Sequence, residues 1–130
     1  MNSHNSVPLI ARCFMAIIFL WSGIGKILAP AATQQYMAAA GMHFTEVFLI
    51  IVIVMELLGG LSLLLGYKAQ WGSLMLILFV VSATVIFHSN FADRLQQIQF
   101  MKNLFIVGGL LMVFHFGSGA FSLDRWRTDR

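Results

Sequence analysis

Residues 47–66 read VFLIIVIVMELLGGLSLLLG, an apolar run with one carboxylate, Glu56, near its middle. As an α-helix this stretch rises about 30 Å, the thickness of a bilayer's hydrocarbon core. A charge at that depth costs at least ~2.5 kcal/mol, and more without a partner. Gly59 and Gly60 follow at i+3 and i+4 and share the face of Glu56, so another helix can approach on the side that carries the charge. The other spans must cover this polar face, and the rest of the chain is read by asking what answers Glu56.

Three further apolar stretches flank this one, which gives four expected spans at about 8–28, 45–66, 69–88 and 101–117 within one transmembrane domain, 1–130. The first opens after a short polar segment (MNSHNS) expected to fray, with Pro8 suited to a first helical turn. Lys26 closes that span without a clean small-x-small cleavage site, so it is read as a retained helix. Residues 29–43 (APAATQQYMAAAGMH) change character: Pro30 breaks the first helix, and Gly41 looks like a C-cap. The piece between them reads as a short interfacial helix with Tyr36 at the headgroup level. Glu46 suits the first turn of the second span, and Trp71 marks the interface at the start of the third. Residues 89–100 (SNFADRLQQIQF) read as a polar loop, GSGAFS after the fourth span as a flexible stop, and 118–130 as a basic tail. The expected fold is an all-α transmembrane four-helix bundle with a short interfacial helix after the first span.

Composition agrees. Of 130 residues, 59% are hydrophobic and 10% charged, against roughly 25% charged in soluble domains. A soluble sphere of this size could not hide that much apolar surface, so the lipid bilayer is the first partner. The net charge of +3 is small and concentrated at the chain's ends and loops, with no basic run or interleaved aromatic patch, which argues against nucleic acid. Cys13 is the single cysteine, which excludes an internal disulfide and reads as a small buried hydrophobe. An even number of spans puts both termini on one side. That side carries Arg12, Lys68, Arg125, Arg127 and Arg130, the other Lys26, Arg94 and Lys102, which places both termini in the cytoplasm.

Depth at 1.5 Å per residue sorts the polar side chains. From the side of the termini Arg12 lies at about 6 Å and Glu56 at about 15 Å, so a guanidinium reaching inward is expected to pair with the acid. Such a pair is either a register device between helices or a functional polar core, and both readings stand. On the opposite side Lys26, His88, Lys102 and Asn103 should lie within a turn or two of the boundary. Together they would suit an anion, a quinone carbonyl or a partner's carboxylates; taken singly, the lysines would snorkel to water. No second ligand stands at helical spacing from His88, which argues against metal. His115 lies near the opposite surface from His43 and His88, which argues against a bis-histidine haem, and no dinucleotide fingerprint is present.

The chain resembles the DoxX family of small four-span bacterial inner-membrane proteins, especially enterobacterial-type members of about this length. The resemblance is carried by Arg12 with FLWSGIGKI (19–27), TQQYM (33–37), ELLGGLSLLLG (56–66), FHSNFAD (87–93), FMKNLFIVGG (100–109) and GSGAFSLDRW (117–126), in order over nearly the whole chain. It implies the bacterial inner (plasma) membrane and an association with membrane redox systems, including quinone-linked ones. The family's polar positions fall here on Arg12, Lys26, Glu56, His88, Lys102 and Asn103, the set that depth selects. The functional expectation is a quinone-linked, redox-associated membrane subunit. It would bind a quinone or small anion and work with a redox partner protein or as a homo-oligomer. The alternatives are a non-catalytic scaffold for a partner complex and a small-molecule or ion conduit.

Overall fold

The computed structural model describes residues 3–128. Among the described residues there are six helices: α1 (Ser3–Leu28), α2 (Pro30–Ala39), α3 (Thr45–Leu65), α4 (Ala69–Phe87), α5 (Arg94–Phe116) and α6 (Leu123–Thr128). Four of them, α1 from Ser6, α3, α4 and α5, are long and apolar enough to cross a membrane. The all-α bundle with a short helix after the first span is thus what the chain adopts. Large apolar side chains cover its outside: Trp21 is 80% exposed and Phe105 79%, which is the pattern of a surface solvated by lipid.

The helices run antiparallel in the order α1–α3–α4–α5, and α2 leans on α1 and α3. Small residues set the two central seams. A side chain at Gly59 would meet Leu76 of α4 at 2.5 Å, and one at Gly60 would meet Leu20 of α1 at 2.9 Å. The helices are therefore in contact where Glu56's face turns inward, around a core of Ala16, Phe19, Leu63, Leu76, Val80 and Leu110. The glycine pair is filled from within the chain.

Helix ends follow recognisable chemistry. Pro30 opens α2, and Gly41 (φ +87°) closes it in a Schellman motif, with Gly41 N–H on Ala38 O (3.0 Å) and Met42 N–H on Met37 O (3.1 Å). Gly66 (φ +66°) ends α3 in the same way, with Tyr67 N–H on Ser62 O at 3.1 Å. Thr84 turns its hydroxyl back onto Val80 O at 2.7 Å, as helical hydroxyls do in apolar surroundings.

Three boundaries differ from the sequence reading. The polar N-terminal segment is helical from Ser3, with Pro8 inside α1; Met1 and Asn2 lie outside the described residues. The loop expected over 89–100 is shorter, because α5 begins at Arg94 under an Asp93 cap that accepts from Leu95 N–H at 3.0 Å. The tail is not a loose stop. Asp124 accepts from Lys68 N–H (2.6 Å), Ala69 N–H (3.1 Å) and the Ser118 hydroxyl (2.7 Å). Its own N–H donates to Gly66 O at 2.8 Å. Asp124 thus caps α4 from a distance, since Lys68 at the α4 N-cap supplies no side-chain bond. The tail's last basic residue, Arg130, lies outside the described residues.

Candidate functional site

Glu56 is 2% exposed in the middle of α3, and its partner is Lys26, with Nζ to Oε1 at 2.6 Å. Lys26 also donates to the Ser22 hydroxyl one turn back, at 2.5 Å. The pairing expected with Arg12 does not occur. The register between α1 and α3 explains why: Gly23 faces Leu57 and Leu20 faces Gly60, so Lys26 stands beside the turn that holds Glu56. At Gly23 a Cβ would meet Leu57 at 2.8 Å, so the missing side chain lets α3 approach to within reach of the ammonium. Lys26 reaches inward along its stem rather than outward to the boundary.

Arg12, 1% exposed, serves the other end of the bundle. Its Nη1 donates to Leu63 O at 2.8 Å and its Nη2 to Phe121 O, while Nε is buried without a partner. Leu63 lies two turns beyond Glu56 towards the α3 C-terminus, where the helix dipole leaves its negative end and unpaired carbonyls. Those carbonyls, and the tail folded over them, take the guanidinium.

Lys26 forms part of the wall of a cavity of about 410 Å³, with Thr33, Tyr36 and Met37 of α2, Val52 of α3, and Phe79 and Phe87 of α4. The volume lies within the ~300–1,000 Å³ range of small-molecule sites. Tyr36 stacks on Phe87 with ring centroids 4.9 Å apart, which ties α2 to the end of α4. A mostly apolar chamber with the rings of Tyr36, Phe79 and Phe87 in its lining, an ammonium in its wall and a buried carboxylate paired to that ammonium can hold a flat apolar ring. The ammonium can then donate to a ring oxygen.

The outer set named from sequence does not gather round one cavity. Asn103 Nδ2 donates to Thr84 Oγ1 at 2.8 Å and locks α5 to α4. Lys102 is exposed and lines a separate hollow with Arg94 and Gln97. His88 follows α4, its ring 6.5 Å from that of Phe87, with Nδ1 buried and unbonded. Only Lys26 of the four reaches the aromatic chamber. His115 is exposed against Phe116, and Cys13 is half-buried and free. Sequence reasoning missed Thr33, Tyr36 and Phe87 as neighbours of Lys26. The available signal was position: a helix that follows Lys26 after so short a break must start over it.

A family model described as DoxX matches residues 7–89, and one described as the SURF4 family matches residues 61–129. The chain is 43% identical over 117 residues to inner membrane protein YqjF of Escherichia coli (strain K12), covering 90% of this chain and 88% of that protein. It is 33% identical over 122 residues to inner membrane protein YphA of the same organism, covering 90% and 87%. To the ER-derived vesicles protein ERV29 of Saccharomyces cerevisiae it is 31% identical over 77 residues, 55% of this chain and 25% of that protein. No solved structure matches the chain.

Proposed function

The chain belongs to the DoxX family of integral membrane proteins, and we propose that it acts in the bacterial inner membrane as a quinone-binding, redox-associated subunit. The carrying observation is the Lys26–Glu56 pair at the wall of the aromatic chamber. A quinone ring would lie between Phe79 and Phe87 and accept a hydrogen bond from Lys26 Nζ at one carbonyl oxygen. Reduction of a quinone to its quinol takes two electrons and two protons. The electrons would come from a partner redox protein; one proton would pass to the bound oxygen from the Lys26 ammonium, which would be reprotonated through Glu56, and the second would be taken from water at the other oxygen. The inner membrane is supported by the names of the two Escherichia coli relatives.

The test uses purified protein in lipid nanodiscs, with binding of a short-chain ubiquinone measured by calorimetry. Wild-type protein should bind it, and Lys26→Met should weaken binding at least about tenfold, the loss expected for a charge-assisted hydrogen bond of ~1.5–3 kcal/mol. Absence of binding in the wild type, or unchanged binding in Lys26→Met, would end this reading. A second reading, a scaffold without chemistry, is favoured by Arg12 and Asn103, whose bonds all serve helix and tail packing. It predicts that Lys26→Met alters stability alone.

A further inference from the structure

The seam between α1 and α5 is looser than those between α1 and α3, α3 and α4, and α4 and α5. The two helices approach at Gly109, where a Cβ would meet Met15 Sδ at 2.8 Å. Between them opens a groove of about 640 Å³ that runs from Val7, Pro8, Phe116 and Gly117 at the end holding the termini to Phe105 on the outward face of α5. Among the described residues Arg12 is its one charged lining residue; the others are apolar or glycine. The guanidinium's hydrogen bonds go to two neutral carbonyls, and its buried Nε has none. A cation held at the wall of an apolar channel leaves a positive field that these partners do not cancel. Asp124, at the same end, acts on Arg12 and offsets part of that field, while Lys68 and Arg125, both exposed, keep this end of the molecule net positive.

From this geometry we infer that the α1–α5 groove is the site of an anionic phospholipid. One acyl chain lies along the groove, and the phosphate sits at its mouth, near Arg12. The shape fixes the amphiphile, because the groove is apolar along its length and opens where α1 begins and α5 ends. The charge fixes its sign. Anionic headgroups gain from each nearby basic residue, whereas a zwitterionic headgroup brings its own cation and gains little. The groove is separate from the Lys26 chamber, which lies towards the other end of the bundle, so this inference does not rest on the quinone reading.

The full chain, purified in mild detergent and stripped of lipid, is titrated with dioleoylphosphatidylglycerol or dioleoylphosphatidylcholine, with occupancy read by native mass spectrometry. Phosphatidylglycerol should bind at one per chain with a preference of about fivefold or more over phosphatidylcholine. Substituting Arg12 itself would loosen the clamp on Leu63 and Phe121. The groove is therefore filled instead by Ala11→Trp from the α1 wall and, separately, by Met112→Trp from the α5 wall. Each variant that retains its helical circular dichroism should lose the one-per-chain binding and the preference, while the Lys26 chamber is untouched. Equal binding of the two lipids by the wild type would overturn the proposal. So would undiminished phosphatidylglycerol binding in either folded tryptophan variant.

Discussion

At the scale of single residues, the chain keeps two charges inside the membrane by different means. Glu56 has a counter-charge at 2.6 Å, whereas Arg12 has carbonyl oxygens. Removing one member of a buried ion pair strands the other, at a cost of about 3–5 kcal/mol, while removing both leaves only packing to repair. Lys26→Met and Glu56→Leu should each lower the thermal denaturation midpoint in detergent markedly, and the double variant should recover most of the loss. Arg12→Met combined with Glu56→Leu should show additive losses, because the two side chains share no bond. Coupling in the Arg12 cycle and none in the Lys26 cycle would contradict the observed pairing. Glu56 was legible as a buried acid in need of a cation, because a lone carboxylate in so long an apolar run carries a penalty that a counter-charge relieves. Its partner was not legible. Depth counted from nominal span ends ignores both the register set by Gly23 and Gly60 and the several Å over which a lysine stem can bend inward. Asp124 was hidden for a related reason: its role depends on α4 lacking a cap of its own, which only the folded tail reveals.

At the scale of helices, glycines with the same sequence signature do different work. Gly59 sits against Leu76, so a larger residue there must push α3 from α4, and overpacking of this kind costs about 1–3 kcal/mol or more. Nothing lies within 4 Å of a Cβ at Gly108, where α5 faces outward. Gly59→Leu should therefore lower the yield of folded protein and its denaturation midpoint. Gly108→Leu should stay within about 0.5 kcal/mol of wild type. Equal sensitivity of the two positions, measured side by side by thermal denaturation, would mean that the outward face of α5 is covered in the folded protein. The apolar periodicity made all four long helices readable, as did the Pro30 and Gly41 punctuation of α2. The start of α5 was not, because Arg94, Gln96 and Gln97 look like loop residues when polarity alone is weighed. The capping aspartate at position 93 was the better signal, and the glutamines turn back to bond the preceding segment at Asn90 and Phe91.

For the whole molecule, orientation in the membrane depends on charges that remain available to the surface. Arg12 and Lys26 are both drawn into the bundle, so the effective contest is between Lys68 with the basic tail on one side and Arg94 with Lys102 on the other. The tail would then decide, cytoplasmic termini are the proposal, and its test leaves these charges intact. In a Cys13→Ser background, cysteine is placed at Ala92 in the connection before α5 and, separately, at Trp126 in the tail; both positions are exposed. A membrane-impermeant maleimide should label Ala92→Cys in intact spheroplasts and Trp126→Cys only after the membrane is disrupted. The reverse pattern would mean that the tail's arginines do not direct insertion. The Lys26 chamber would then open towards the cytoplasm, and the groove beside Arg12 would meet the outer leaflet. Because four antiparallel spans carry both sites rigidly at opposite ends, this one measurement assigns a leaflet to each of them.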